Sequence, residues 1–326
     1  MYYYIIMPLL ISMCAAVLFG RVLIPFLKSI NMGQKILDIG PRWHKSKEGT
    51  PYLGGLLFIA GTLLAVLLFL FFIERDGDYT DLYTLAMACG YALTGFIDDY
   101  AKRIKKHNEG LNRTQKFALQ FPVAIIYVFV LAYNGAILPE LFIPFANISI
   151  DMGIFYYIFL VLGIVYIVNS VNIADGIDGM CGTVTAIIMA MFAVIFYKDA
   201  SYSGLVLSSA CLGGLIGYLY YNFYPAKIFM GDTGSGFLGG MVAGIAVWLN
   251  IPLLILLFGI VYIIDSVSSM IQIVYFKFTG KRIFKIAPFH HNLELRGWSE
   301  LKIVFFAAAL TLGASALSLA AVLIRR

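Results

Sequence analysis

The chain has 326 residues, of which 61% are hydrophobic and only 13% are charged, and its formal net charge is +5. Soluble domains carry roughly 25% charged residues, so this composition, with a mean hydropathy of +0.88, excludes an ordinary soluble protein. We expect an all-α, polytopic integral membrane protein that forms a single transmembrane domain over residues 1–326. The four cysteines stand at unrelated spacings and indicate neither a zinc site nor a disulfide framework. No nucleic-acid partner is expected.

A helix that spans the bilayer needs about 20 apolar residues, and about ten candidate segments follow one another along the chain. They are 2–26, 53–73, 81–97, 117–134, 153–168, 177–197, 203–221, 234–249, 251–276 and 302–324. The first follows Met1 without a basic residue, so we expect a retained span and not a cleaved signal peptide. Pro252 favours a turn between the eighth and ninth segments, because proline disfavours helical geometry in the residue before it.

Basic residues are concentrated in alternate loops between these segments. Lys28, Lys35, Arg42, Lys45 and Lys47 lie in loop one; Lys102, Arg103, Lys105, Lys106, Arg113 and Lys116 in loop three; Lys227 in loop seven; and Lys277, Lys281, Arg282, Lys285, Arg296 and Lys302 in loop nine. The positive-inside rule therefore predicts cytoplasmic odd-numbered loops and both termini outside. The unusual polar clusters fall in the same loops, loop five (residues 169–178) included, which predicts one shared cytoplasmic cleft. Loops two (74–78) and four (134–152) are expected to be plain outer connections.

Asp98 and Asp99 end the third segment, and Lys102 follows three and four residues later. On a helix this spacing lets Lys102 share a face with both carboxylates. Two adjacent carboxylates repel each other and favour a cation or a proton between them. The alternatives are a solvated helix end with an ordinary ion pair, and a basic run that anchors anionic lipid.

A polar stripe runs through loop five, where Asn169, Asn172, Asp175 and Asp178 recur every three residues. On a helical stretch these side chains share one slowly drifting face, which suits contacts to a sugar, a base or metal-bound water. The alternative is a capped turn in which Asp175 caps the following helix.

Three glycines surround Asp232 where the eighth segment begins. Helix N-termini attract anions, and Asp232 could hold the cation that accompanies such an anion, while Phe229 could stack on a base. The alternative is that Asp232 or Thr233 caps the helix and Phe229 is packed.

Loop nine contains a pair of histidines, His290 and His291, beside Glu294. Neighbouring imidazoles near carboxylates can bind phosphate, transfer protons or ligate a metal. Asp265 lies inside the ninth segment, where a polar residue is expected to form hydrogen bonds between helices. Gln272, two turns further on, could reach the cleft.

Five motifs together carry a family resemblance. They are Gly-Thr-Pro at 49–51, Asp-Asp-Tyr-x-Lys at 98–102, Asn-x-x-Asp-Gly-x-Asp-Gly at 172–179, Phe-Met-Gly-Asp-Thr-Gly-Ser at 229–235, and Ala-Pro-x-His-His-x-x-Glu-x-x-Gly-Trp-Ser-Glu at 287–300. Over residues 40–300 the chain resembles the polyprenyl-phosphate hexose-1-phosphate transferases. The last motif resembles the branch whose donor is UDP-MurNAc-pentapeptide.

The resemblance implies ten spans, outward termini, Mg²⁺ dependence, a homodimer, and an active site on the cytoplasmic face of the bacterial plasma membrane. It also implies transfer of phospho-MurNAc-pentapeptide from UDP-MurNAc-pentapeptide to undecaprenyl phosphate, which yields lipid I and UMP for peptidoglycan synthesis. Two alternatives stay open. One is a UDP-GlcNAc:polyprenyl-phosphate transferase with the same chemistry, and the other is an ion-coupled transporter with Asp265 on its pathway.

The resemblance also assigns roles to matching positions. The catalytic group is Asp98, Asp99, Asp232, His290 and His291, with Asp232 associated with Mg²⁺; the substrate-binding group is Lys47, Asn172, Asp175, Gly176, Ile177, Asp178, Asn222, Phe229 and Gln272. Lys102 and Lys116 are expected to attract phosphates as point charges. Two departures from the family pattern stand out, because Asn292 replaces a third histidine and Tyr52 replaces a threonine.

Overall fold

The computed structural model describes residues 1–30, 32–33, 47–73, 78–105 and 110–324, and helices dominate these ranges. In chain order the elements are α1 (Tyr3–Ser29), α2 (Gly55–Phe69), α3 (Thr80–Lys105), α4 (Arg113–Tyr133), β1 (Glu140–Ile143), β2 (Ile148–Asp151), α5 (Ile154–Ala174), α6 (Met180–Lys198), α7 (Tyr202–Asn222), α8 (Gly231–Trp248), a 3-10 helix (Pro252–Leu254), α9 (Ile255–Phe258), α10 (Ile260–Thr279), α11 (Phe289–Leu295) and α12 (Glu300–Ile324). The predicted helical class is confirmed, apart from one hairpin. The loop-one residues Lys35, Arg42 and Lys45, together with Lys106 and residues 74–77, lie outside the described residues.

Seven of the described helices are long and apolar enough to cross a membrane, namely α1, α4, α5, α6, α7, α10 and α12. The second predicted segment corresponds to α2, a shorter apolar helix of 15 residues. The third and eighth correspond to α3 and α8. The chain is thus a multi-pass membrane protein, while a total of ten spans and outward termini remain predictions.

The ninth predicted segment, 251–276, is not one helix. A 3-10 helix and the short α9 come first, and Gly259 then separates α9 from α10. Ile251 has a φ of −126° and a ψ of 41°, which is the departure from helical geometry expected before Pro252. The predicted turn is therefore confirmed, and the helix begins later than expected.

Helix α5 extends into the predicted loop five. Apolar residues continue through Val171 and Ala174, and both are fully buried, so the helix continues to bury a face until Ala174. Asn169 and Asn172 consequently lie on its last turns, and the connection to α6 is short.

Loop four is more than a plain connection, because it contains an antiparallel hairpin. Glu140 of β1 pairs with Asp151 of β2, and Ile143 pairs with Ile148 near the turn. Every residue of β2 is exposed, and its sequence, Ile148-Ser149-Ile150-Asp151, alternates apolar and polar residues as a strand does.

Helices α3 and α8 touch backbone to backbone through a glycine stripe on α8. A Cβ atom built on Gly236 would lie 2.7 Å from the Tyr91 carbonyl oxygen, and one on Gly240 would lie 2.8 Å from the Ala88 Cα. Small residues are the usual means of such close packing between membrane helices. This contact places the acidic C-terminal part of α3 next to the N-terminus of α8.

Candidate active site

Asp99 of α3 caps the N-terminus of α8. Its Oδ1 accepts a hydrogen bond from the Asp232 N–H at 3.2 Å, and its Oδ2 accepts from the N–H and the O–H of Thr233 at 2.9 and 2.7 Å. No side chain of the N-cap residue Met230 caps the helix. The interpretation that Asp232 or Thr233 is the cap is therefore wrong, because the cap comes from a neighbouring helix.

Three carboxylates surround the Lys102 ammonium. Its Nζ lies 2.9 Å from Asp98 Oδ2, 3.6 Å from Asp99 Oδ1 and 3.1 Å from Asp232 Oδ2. Lys116 Nζ lies 2.7 Å from the same Asp232 oxygen and 3.4 Å from Asp98 Oδ2. The predicted pairing of Lys102 with both aspartates is confirmed. Since Asp98 and Asp99 are each only 2% exposed, the alternative of a solvated helix end is wrong.

The turn before α4 orients Asp98. The Leu111 N–H donates to Asp98 Oδ1 at 2.7 Å, and Gly110 lies so close that a Cβ there would be 2.5 Å from the same oxygen. Asn112 then starts α4 with a capping box formed with Gln115. The Asp98 carboxylate is thus fixed from two sides, by this turn and by the lysines.

Lys47 lies in a second charged cluster, together with Asp178 and Glu300. Its Nζ donates to Asp178 Oδ1 and to Glu300 Oε2, each at 2.7 Å, and Asp178 Oδ2 accepts from the Ala226 N–H at 2.9 Å. Burial opposes the charge on Lys47, but the hydrogen bonds to the two carboxylates outweigh it and raise the pKa of the ammonium above its usual value. Lys47 therefore stays positively charged.

Asp175 lies between these clusters, just after α5. Burial raises the pKa of its carboxyl to about 8, and the negative charges of Asp232, Asp99 and Asp178 add to the effect. The N-cap residue of α6 is Gly179, and no side chain caps that helix. The interpretation of Asp175 as a helix cap is therefore wrong. The polar stripe instead brings the Asp175 carboxyl beside the acidic centre, which consists of Asp98, Asp99 and Asp232.

The two histidines each pair with a carboxylate. Asp265 Oδ2 lies 2.9 Å from His290 Nδ1, and Asp265 Oδ1 accepts from the His290 N–H at 3.1 Å, which confirms the predicted hydrogen bonding between helices. His291 Nδ1 contacts Glu294. The His290 ring lies against Gly176, where no side chain would fit. This contact joins the histidine helix to the loop after α5.

Two predicted substrate-binding residues hold the site together. Asn172 donates to the Ser235 Oγ at 2.8 Å and so links α5 to α8. Asn222 accepts from the Gly179 N–H at 3.0 Å and donates to the Ile228 carbonyl at 2.9 Å. Both residues position backbone next to the acidic centre, and a role in substrate contact stays a prediction.

Ile177, Phe229 and Gln272 are placed differently from one another. Ile177 is only 4% exposed, so its side chain is packed in the interior. The half-buried Phe229 pairs through its backbone with the segment before α2. The Gln272 amide bonds the backbone of residues 283–284. Within the described residues Gln272 makes these bonds away from Asp98, Asp99 and Asp232, and its substrate role stays a prediction.

The two departures from the family pattern have local partners. Asn292 is 4% exposed and donates to the Ile286 carbonyl at 3.5 Å, while the Tyr52 hydroxyl contacts Met32 Sδ at 3.8 Å. Both side chains therefore pack within this end of the bundle.

Sequence reasoning missed one member of the site and the partner of another residue. Glu300 pairs with Lys47 across 253 positions of chain, and Asp265, for which hydrogen bonding between helices was expected, pairs with His290. Glu300 belongs to the Trp-Ser-Glu motif, but nothing in the sequence indicated its partner. Most of the predicted charged residues form three groups: Asp98, Asp99 and Asp232 with the two lysines, Lys47 with Asp178, and the two histidines with their carboxylates.

Asp98, Asp99 and Asp232 offer the oxygen ligands that Mg²⁺ prefers. As they stand, no three His, Cys, Asp or Glu residues in the described ranges form a cluster that could hold a metal ion. Mg²⁺ usually keeps several waters and uses one or two carboxylates plus substrate phosphates. The donor chemistry therefore fits an ion shared between protein, water and substrate.

The chain resembles known proteins along most of its length. Residues 82–250 match glycosyl transferase family 4. The chain is 41% identical over 303 residues to the phospho-N-acetylmuramoyl-pentapeptide-transferase of Caldanaerobacter subterraneus subsp. tengcongensis, with 92% of this chain and 93% of that protein covered. It is 38% identical over 306 residues to the protein of that name from Clostridium novyi, with 94% and 93% covered. For Listeria monocytogenes serotype 4b the identity is 42% over 282 residues, with 86% of each covered.

Proposed function

The chain belongs to the phospho-N-acetylmuramoyl-pentapeptide-transferases of glycosyl transferase family 4, and on that premise we propose how its residues carry out the reaction. The chain is a phosphosugar transferase of peptidoglycan synthesis. Phospho-MurNAc-pentapeptide passes from UDP-MurNAc-pentapeptide to undecaprenyl phosphate. A phosphate oxygen of the lipid attacks the β-phosphorus, the bond to the bridging oxygen breaks, and UMP leaves with that oxygen, so that lipid I remains in the membrane.

The observation that carries this proposal is the convergence of three carboxylates and two ammonium groups at the N-terminus of α8. A helix N-terminus favours anions, and Lys102 and Lys116 add positive charge there. Asp98, Asp99 and Asp232 neutralise these lysines. The site is therefore built to exchange carboxylate contacts for phosphate contacts when substrates bind.

Asp98 and Asp99 have separate tasks in this proposal. Both oxygens of Asp99 accept hydrogen bonds from the N-terminus of α8, so Asp99 fixes the position of that helix end relative to α3. Asp98, held by Leu111 and Lys102, positions the lipid phosphate. A phosphate monoester has a second pKa near 6, so the lipid is already largely ionised near neutral pH and positioning matters more than proton removal.

We assign Asp232 to Mg²⁺, together with water, substrate phosphates and an oxygen of Asp98. When bound, the ion supplies charge neutralisation for the diphosphate and for the departing UMP. Lys102 and Lys116 hold Asp232 in place through Oδ2.

The nucleotide side of the donor is assigned to the loop after α5 and its neighbours. Lys47 remains charged beside Asp178 and can attract a phosphate of the donor. Asn172 and Asp175 supply polar groups for the sugar or the base, and the half-buried Phe229 offers a ring for stacking on uracil. His290 borders the same loop through Gly176, and His291 follows it on α11.

We also propose that this end of the bundle faces the cytoplasm of the bacterial plasma membrane and that the chain forms a homodimer. The basic residues of the odd-numbered loops support the orientation through the positive-inside rule. Undecaprenyl phosphate then reaches the site from the inner leaflet.

The test uses purified protein with Mg²⁺, undecaprenyl phosphate and UDP-MurNAc-pentapeptide. UMP release is expected with this donor, and UDP-GlcNAc is expected to neither replace it nor compete. Equal release from UDP-GlcNAc would assign the chain to the alternative donor. Substrate flux into liposomes without product would favour a transporter.

A further inference from the structure

His290 has an orphaned nitrogen in a buried position. The residue is 2% exposed, and its Nε2 has no hydrogen-bond partner. In the described part of the chain, the other buried side-chain atoms without a partner are hydroxyl oxygens of Ser, Thr and Tyr. A buried polar atom without a partner costs about 1–3 kcal/mol. We therefore expect Nε2 to gain a hydrogen-bond partner when a ligand binds.

Asp265 determines the protonation of the ring. Both of its oxygens are used on the same residue, Oδ1 for the His290 N–H and Oδ2 for Nδ1. An ionised carboxylate only accepts hydrogen bonds, so the contact at 2.9 Å places the proton on Nδ1. In a neutral imidazole the other nitrogen, Nε2, is then an acceptor.

Nε2 faces the loop after α5. A Cβ on Gly176 would overlap this nitrogen, so the ring packs directly on that glycine. His290 and Asp265 also border a cavity of about 30 Å³, together with Met180, Ile264 and Phe289. The loop that contains Gly176 is the segment to which the donor nucleotide is assigned.

We propose that Asp265 is a positioning residue of the transfer reaction. It keeps the proton on His290 Nδ1, so that Nε2 accepts a hydrogen bond from an O–H or N–H group of the nucleotide-sugar donor at Gly176. This inference rests on the proposed function, because that function places the donor there. No proton is transferred in this step, and the contribution lies in orientation and in the choice of tautomer.

Asp265→Asn tests the choice of tautomer. Asparagine has one oxygen and one NH₂ group. If the oxygen accepts from the His290 N–H, the NH₂ group donates to Nδ1 and the ring proton moves to Nε2, which then repels a donor group. We expect kcat/KM for UDP-MurNAc-pentapeptide to fall on the order of 100-fold. Asp265→Glu, which keeps two acceptor oxygens, is expected to recover part of this loss. The exposed Asp151→Asn on the hairpin is the matched control.

A double-mutant cycle separates positioning from mere structure. In His290→Gln the side-chain carbonyl can accept from the substrate whatever Asp265 does. Asp265→Asn is therefore expected to cost no further activity in that background, whereas a merely structural role predicts a loss of activity in both. An equal loss of activity in both backgrounds would overturn the proposal, as would full activity of the single Asp265→Asn variant.

Nitrogen-15 NMR of histidine-labelled protein gives a measurement that does not depend on turnover. The chain has four histidines, and the His290 signals are identified by their loss in His290→Gln. The proton is expected on Nδ1 in the wild type and on Nε2 in Asp265→Asn. A wild-type ring that carries its proton on Nε2 would overturn the positioning role. Absence of UMP release by the wild type would instead overturn the proposed function, with the tautomer still decided by NMR.

Discussion

The carboxylate of Asp98 depends on a glycine that precedes α4, and Gly110→Ala is the sharpest test of its role. A methyl carbon at position 110 would lie 2.5 Å from Asp98 Oδ1 and 2.8 Å from its Cγ, whereas ordinary contact begins at 3.4 Å. Either the carboxylate or the turn has to move by about 1 Å. A misplacement of that size can cost on the order of 100-fold in rate.

The expected result is a loss of turnover in a protein that still folds. The shift breaks the Leu111–Asp98 hydrogen bond of 2.7 Å, which contributes about 1.5–3 kcal/mol because its acceptor is charged. We expect kcat for UMP release to fall between about 10-fold and 100-fold, with a change in Tm of only a few degrees. Initial rates at saturating donor and lipid, with Tm measured in detergent, provide both quantities.

Gly163→Ala is the matched control. Gly163 lies within α5, and no atom lies within 4 Å of a Cβ built there, so alanine adds helix propensity without a clash. Wild-type kcat is expected for this control. Wild-type kcat in Gly110→Ala would refute the reasoning, because it would show that the Asp98 carboxylate needs no fixed position.

Three further changes test the charged groups. Asp232→Asn removes the charge that two lysines neutralise. We expect kcat to fall at least 100-fold and the remaining rate not to saturate as the Mg²⁺ concentration is raised. Near-normal turnover would show that Asp232 does not bind the metal. Glu300→Gln leaves Lys47 with Asp178 as its only charged partner in the cluster, and we expect the unfolding free energy to fall by about 1–2 kcal/mol. The control, Glu140→Gln at an exposed position, is expected to show no change. Equal Tm values for the two variants would contradict the ion-pair argument. The pKa of Asp175 is about 8 in the folded protein, above its unfolded value, so wild-type stability falls by at most about 1.4 kcal/mol per pH unit as pH rises toward 8. Asp175→Asn is therefore expected to exceed wild type in Tm by a margin that grows from pH 6 to pH 8, and a margin independent of pH would contradict the shift.

The positions of the helices could be predicted because a long apolar run in a membrane protein indicates a membrane-spanning helix. The ten segments correspond in order to helices α1–α8, the α9–α10 pair and α12. The misses occurred where local sequence does not decide the structure. The alternation of apolar and polar residues in β2 covers only four positions and is too short to stand out in an apolar chain. Helix α5 continues beyond its expected end because Val171 and Ala174 are still buried.

The same division holds at the site. Lys102 was predictable beside Asp98, since three and four residues along a helix bring side chains together. Lys116 beside Asp232, or Glu300 beside Lys47, depends on how distant helices pack, and residue spacing carries no such information. The cap supplied by Asp99 to α8 is of this second kind, because its donors belong to another helix.

The glycine stripe of α8 has a consequence for how this sequence can vary. Where Gly236 and Gly240 meet α3, even a methyl group would press on main chain, which cannot rotate away as a side chain can. A saturation library across α8 should therefore show intolerance at Gly236 and Gly240, and also at Gly239, where a Cβ would lie 2.6 Å from the Val168 Cα on a different helix.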